Sequence, residues 1–263
     1  VLTNKLSRRQ TAARLIRALA AMEIVAQMKG NWINGHLWIA HFDILGFKSL
    51  LENDGNSIAI EIVKSQIDEI LGELSRDVSG FEEKIGYLFF ADTFIIYSKS
   101  ENINEYPALI NASKNFISRC INKKLPIRGA ISYGDVVLGH DSKILMGKAF
   151  LESHNYGEDQ NWIGLILTPS ASKELVKNGI YPVRHGFINS DIPLRKCKEF
   201  SEHVYAYCFI NGSANYKCPL LSPLEQMMQD APDRQKSKYT NTIEFINKYY
   251  KTSKSNYKNL KRD

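Results

Sequence analysis

Two apolar runs in this chain are each interrupted by a single aspartate. The first, residues 36–47, reads His-Leu-Trp-Ile-Ala-His-Phe-Asp-Ile-Leu-Gly-Phe and carries Asp43. The second, residues 87–97, reads Tyr-Leu-Phe-Phe-Ala-Asp-Thr-Phe-Ile-Ile-Tyr and carries Asp92. A carboxylate within runs this hydrophobic must be paired, hydrogen-bonded or metal-bound, because desolvating it alone is costly. Taken singly, Asp43 reads as a turn cap and Asp92 as a hairpin-tip residue. On neighbouring strands the two would make an oxygen-rich site for divalent cations, the arrangement of two-metal phosphoryl transfer. Gly46 would let the backbone approach a ligand closely, and the N–H groups around it suit phosphate oxygens.

The surrounding elements must bring these residues together. Residues 36–44 read as a buried strand, apolar on both faces. An amphipathic helix follows over residues 57–75, its apolar face built from Ile58, Ile60, Ile62, Val63, Ile67, Ile70 and Leu71. A turn at Ser79-Gly80 leads to a hairpin, Ile85 to Phe90 and Phe94 to Tyr97, with Asp92 at its tip. Asn102 or Asn104 caps a helix running to Asn122. Pro126 opens a strand over residues 127–134, and Asp135 to Leu138 read as a second strand after Gly134. The order strand, helix, strand, strand, helix, strand predicts an α+β fold with a ferredoxin-like βαββαβ core. Beyond it the pattern predicts a short helix over 149–154, a strand over 163–168, a helix from Pro169-Ser170, and further strands within 181–209. From Ser222 the chain reads as a helical, Lys- and Tyr-rich appendage. The expected organisation is an accessory basic helix within residues 1–30, a main domain over 31–220, and a basic C-terminal extension over 221–263.

Composition narrows the classes. The 263 residues are 44% hydrophobic and 24% charged, enough for one large core, with a net charge of +6 that suits a polyanionic partner. The C-terminal lysines supply much of that excess, so a nucleoside triphosphate fits as well as a nucleic acid, and no nucleic acid is expected. Four scattered cysteines (Cys120, Cys197, Cys208, Cys218) read as reduced thiols of a cytoplasmic protein. No apolar run is long enough to span a bilayer. Walker, G-x-G-x-x-G, H-E-x-x-H and G-x-S-x-G motifs are absent, which removes support for ATPase, dehydrogenase, zincin and serine-hydrolase readings.

Three segments together resemble the class III nucleotidyl cyclases. Phe42-Asp43-Ile44-Leu45-Gly46-Phe47 looks like the segment holding that family's first metal-binding aspartate. Ala91-Asp92-Thr93 looks like its second, at a hairpin tip. Residues 127–139, Ile-Arg-Gly-Ala-Ile-Ser-Tyr-Gly-Asp-Val-Val-Leu-Gly, are similar to its Arg-x-Gly strand pair. The resemblance spans about residues 36–175. It implies a cyclase-type core with extra C-terminal strands and helices, and two Mg²⁺ or Mn²⁺ ions held by Asp43, Asp92 and the Ile44 carbonyl. It also implies catalytic roles for Asp43 and Asp92, and a homodimer with the site at the interface. Phe42, Gly46, Phe47, Lys48, Tyr87, Leu88 and Arg128 are the substrate-binding candidates it suggests. Arg128 fits either a phosphate ligand or the structural partner of a carboxylate.

The departures from that pattern are as telling. The base-reading lysine of adenylate cyclases falls on Leu88, which cannot hydrogen-bond a purine edge. A third acidic position falls on Ile144, and the transition-state asparagine and arginine fall on Leu151 and Asn155. Lys148, His154 and Asn155 are possible substitutes. Tyr87 would reach a base only if a bulge shifted the strand register. The hairpin and the segment Met146 to His154 resemble the pyrimidine cyclases of bacterial anti-phage signalling, which implies UTP converted to cyclic UMP and read by a downstream effector. The alternatives are CTP converted to cyclic CMP, or a catalytically dead homologue that senses a nucleotide. A diguanylate cyclase would show a Gly-Gly-Asp/Glu-Glu-Phe hairpin, and Phe89-Phe90-Ala91-Asp92 lacks it. A nucleic-acid module built on the basic tail would show steep salt dependence and no need for Asp43.

Overall fold

The computed structural model describes residues 32–47, 56–139, 145–195, 204–209 and 218–260. The helix expected within residues 1–30 and the candidates Lys48 and Ile144 lie outside the described residues. In chain order the elements are β1 (Trp32–Ile44), α1 (Asn56–Asp77), α2 (Phe81–Lys84), β2 (Ile85–Phe90), β3 (Thr93–Ser98) and α3 (Tyr106–Asn122). They continue as β4 (Ile127–Gly139), β5 (Leu145–Met146), α4 (Lys148–Glu158), β6 (Leu165–Leu167) and α5 (Pro169–Lys177). The last described elements are β7 (Phe187–Asn189), β8 (Tyr205–Tyr207), α6 (Leu221–Asp230) and α7 (Asp233–Leu260).

The strands form one sheet in the order β2-β3-β1-β4-β6-β8-β7, with β5 paired to β4. Each neighbouring pair among its first four strands is antiparallel, and with α1 and α3 they make the expected split βαββαβ arrangement. Along β1 the side chains alternate between two buried faces. Trp38, Ala40, Phe42 and Ile44 join the main core, where Phe42 meets Phe116 of α3 at 5.0 Å between ring centroids. Leu37 and Ile39 join Ile95, Tyr97, Val136, Leu138 and Ala149 in a second cluster beneath α4. Burial on both sides explains why β1 reads as a continuous apolar run.

Four sequence expectations need correction. Gly134 does not end a strand: β4 is continuous because the long β1 pairs with it throughout, Gly134 opposite Leu37 and Asp135 opposite His36. In α1 the stripe facing the core is Val63, Ile67, Ile70 and Leu74, while Ile60 and Ile62 stay exposed. Ile62 sits one position before the stripe, about 100° round the helix from Val63. The helix after Gly147 runs on to Glu158 instead of stopping at His154. The C-terminal segment is no appendage: Leu224, Met227, Tyr239, Phe245, Ile246 and Tyr250 are buried in the main core, and Phe245 packs edge-on against Trp162 at 4.6 Å. Cys120, Cys208 and Cys218 are buried, and no disulfide joins them.

The tip of the β2–β3 hairpin is strained. Phe90 pairs with Thr93, so Ala91 and Asp92 form a two-residue loop, and Ala91 has φ +53°. A side chain in that left-handed region costs about 1–2 kcal/mol. Ala91→Gly relieves it and gives back part through added freedom of the unfolded chain, so a net stabilisation of about 0.5–1 kcal/mol is expected. A lower urea midpoint for the variant would count against strain at this loop.

Candidate active site

Asp43 lies one residue before the end of β1, on the face opposite the Phe42 ring. Its cross-strand neighbours are Thr93 on β3 and Arg128 on β4. The next residue, Ile44, donates its N–H to the Asp92 carbonyl at 2.9 Å, which pins the hairpin tip beside Asp43. Sheet register therefore brings the two aspartates to one end of the sheet. Burial pushes the Asp43 carboxyl above its usual pKa range; Arg128 opposes this, and the charges of Glu158 and Asp92 add to the rise.

Arg128 organises the centre, although its side chain is only 1% exposed. Its Nε and Nη2 donate to Asp43 Oδ2 at 3.2 and 2.9 Å, and Nη2 also donates to Glu158 Oε1 at 2.6 Å. Nη1 donates to the carbonyls of Glu158 and Gln160 at 2.9 and 2.7 Å. All five guanidinium N–H groups are thereby used, so none remains for a phosphate. Of its two sequence readings, Arg128 takes the second: it is the partner of a carboxylate. Gln160 braces the same segment, donating to the Gly129 and Tyr156 carbonyls while its Oε1 accepts from Trp162 Nε1 at 2.6 Å. Partial burial pushes Glu158 up, but Arg128 and Arg195 outweigh it and hold its carboxyl below the usual range. Arg195 Nη1 lies 3.3 Å from Glu158 Oε2.

The other candidates are distributed unevenly. Phe42 is wholly buried against α3 and Phe47 packs on the core, so neither ring is brought to the aspartates. The Ile44 and Leu45 N–H groups, which adjoin Gly46, are taken by the Asp92 and Pro126 carbonyls, which withdraws both from the expected phosphate cradle. Gly46 adopts φ +80°, as a turn there requires. β2 pairs with β3 without a bulge, so the register shift that would aim Tyr87 at a base does not occur. Tyr87 lies on the main-core side, stacked on Phe81 and Phe94 at 6.3 and 6.0 Å. Leu88 packs against the second cluster, on the same side of the sheet as Asp43. Leu151 and Asn155 are exposed, Lys148 is 87% exposed beside Asp135, and His154 contacts His41 and Phe150 through ring edges and faces.

Sequence reasoning missed Glu158, Gln160, Arg195 and His41. Only His41 carried a signal, as a second polar residue in the apolar β1 run. It is buried with Nδ1 lacking a hydrogen bond, and burial first, then His154, lowers its pKa to about 4. The folded-state value lies below the unfolded one, so the neutral ring contributes stability that is complete above pH ~6.5. That contribution is lost as pH falls from ~6.5 towards ~4, by about 3 kcal/mol. His41→Leu should flatten this part of the acid limb in pH-dependent urea melts; an unchanged limb would assign it to other groups.

The donor set around Asp43 suits a hard divalent cation. The Asp92 charge acts on the Asp43 carboxyl, and Asp43 Oδ1 accepts no hydrogen bond among the described residues. Among those residues no group of three or more His, Cys, Asp or Glu side chains is placed to hold a metal, so backbone oxygen or substrate would complete the shell.

No protein-family model and no curated protein matches the chain. Among solved structures it is similar to the adenylyl cyclase CyaB from P. aeruginosa at 13% identity and TM-score 0.44, over 70% of this chain and 98% of that one. It is similar to the catalytic core of a rhodopsin-guanylyl cyclase with converted specificity, in complex with ATPαS, at 10% identity and TM-score 0.49, over 67% and 98%. A bacterial light-regulated adenylyl cyclase matches at 16% identity and TM-score 0.45, over 84% and 69%.

Proposed function

We propose that the protein is a pyrimidine nucleotide cyclase that converts UTP to 3′,5′-cyclic UMP and pyrophosphate, as a second messenger in defence against phage. The observation that carries this reading is the placement of Asp43 and Asp92 side by side at one end of the sheet. In the reaction the ribose 3′-oxygen bonds to the α-phosphorus, the bond from that phosphorus to the α–β bridging oxygen breaks, and pyrophosphate leaves. The 3′-hydroxyl proton passes to solvent.

Asp43, Asp92 and the Ile44 carbonyl would hold two Mn²⁺ or Mg²⁺ ions. When bound, such ions lower the pKa of the 3′-hydroxyl and neutralise the triphosphate. The chain's own groups set the geometry. Arg128 fixes Asp43 through Oδ2 and leaves Oδ1 without a hydrogen bond among the described residues, while the Ile44–Asp92 hydrogen bond holds the hairpin tip in register. Leu88 offers no hydrogen bond to a purine edge, which favours a pyrimidine. In this reading the enzyme works in the cytoplasm as a homodimer with the site at the interface, and a cyclic-nucleotide-binding effector reads the product. Among the described residues no helix is long and apolar enough to cross a membrane.

The test is mass-spectrometric product analysis after incubation with ATP, GTP, CTP and UTP separately, each with Mn²⁺, beside an Asp92→Ala control. Cyclic UMP from UTP alone, lost in the control, is the expected result. Cyclic CMP from CTP would transfer the assignment to cytidylate cyclase. Tight nucleotide binding without any cyclic product would make the protein a sensor.

A further inference from the structure

The C-terminal helix reaches the site just described. Its first turn lies over the Gly46 turn so closely that a Cβ on Gly46 would stand 2.9 Å from Gln235 Nε2. Two turns later the helix is fastened beside the Arg128-binding segment. Thr242 Oγ1 accepts the Ile163 N–H at 2.7 Å, and Asn241 Nδ2 donates to the Asn161 carbonyl at 2.8 Å. Between these anchors, at i+3 from Gln235 and i−4 from Thr242, sits Lys238. It is half-buried, whereas Arg234, Lys236 and Ser237 are exposed, so the stripe of Gln235, Lys238 and Thr242 faces inward.

We infer that Lys238, carried by α7 to the Asp43–Arg128–Glu158 network, binds the substrate's triphosphate. This rests on the nucleotide-cyclase reading and adds to it a ligand from a segment outside the resemblance. The argument is one of unmatched charge. Arg128 and Arg195 are already paired with Asp43 and Glu158. Lys238 makes no ion pair within 4 Å among the described residues, although burial withdraws it from water. Burial lowers the pKa of its ammonium group, and Arg128, Arg195 and Arg234 lower it further, with only Asp43 opposing. A half-buried ammonium repelled by three guanidinium groups is stabilised by an incoming polyanion. The Gly46 turn below Gln235 then forms one wall of the anion site and Lys238 the other.

Calorimetric titration of the 263-residue chain with inorganic tripolyphosphate tests this, in parallel with turnover of the preferred nucleotide. Lys238→Ala should weaken tripolyphosphate binding about tenfold or more, since a charge-assisted contact is removed. Lys238→Arg should restore most of it. Lys236→Ala, whose lysine pairs with Asp233 at 2.8 Å on the exposed side, should stay within about twofold of the parent. Alanine keeps the helix, and a thermal melt of each variant verifies folding. Parental affinity in Lys238→Ala, or no tripolyphosphate binding by the parent, would overturn the inference. So would a higher kcat in Lys238→Ala, which would make α7 a brake. If the parent forms no cyclic product yet its tripolyphosphate binding depends on Lys238, the cyclase reading fails and the anion site stands. If the parent cyclises and binding ignores Lys238, only the inference fails.

Discussion

Asp92→Ala should abolish cyclic-nucleotide formation while leaving the fold intact. In the proposed reaction the Asp92 carboxylate holds metal at the reacting phosphate, a contribution of about 4 kcal/mol or more, equivalent to a loss of ~10³-fold in kcat/KM. The structural contribution of this residue lies in its backbone, because the Asp92 carbonyl accepts the Ile44 N–H whatever side chain it carries. Its partly exposed side chain makes no hydrogen bond among the described residues. Stability should therefore change by no more than ~0.5 kcal/mol in urea melts. Asp43→Ala differs in kind: it removes the same activity but also strips Arg128 of a buried partner, so it should destabilise as well. The comparison separates chemistry from scaffolding. An active Asp92→Ala enzyme would move the metal site away from these carboxylates.

The largest expected effect on stability belongs to Arg128. Arg128→Met removes five donors at once, strips the Asp43 carboxylate and two main-chain carbonyls of the Arg128 donors, and leaves the Glu158 carboxylate only its contact with Arg195. Removing one member of a buried ion pair costs about 3–5 kcal/mol. A cost of that size approaches the whole stability of an ordinary domain. Arg128→Lys should rescue little, because an ammonium has three donors and cannot match the planar fork that serves four acceptors. The measurement is the urea midpoint of both variants, with turnover recorded under conditions where each is folded. Parental stability in Arg128→Met would show that the network is dispensable.

The β2–β3 hairpin, α1, α3 and the order of the βαββαβ core were legible in the sequence, because their signals are local. Alternation, helical stripes and turn residues each act within about ten residues of chain. The two aspartates were legible for a related reason: a charge inside an apolar strand has few inexpensive fates. Even so, local signals misplaced the break at Gly134, where a turn residue was overruled by the unbroken register with β1.

The sequence by itself determined which reactive groups are available here, two carboxylates beside a glycine turn on a ferredoxin-like core. Tertiary structure alone decided how that chemistry is held. Asp43 and Arg128 are 85 residues apart, and Thr242 anchors α7 to Ile163 across 79. Arg128 could not be assigned between phosphate and carboxylate until Glu158 and the Gln160 carbonyl used up its donors. The same applies to Lys238, which in sequence is one more lysine of a basic tail. Its environment is set by Arg128 and Arg195, brought to it only when the chain folds. Long-range pairing of charges depends on which surfaces meet, and neither spacing nor composition encodes that meeting locally.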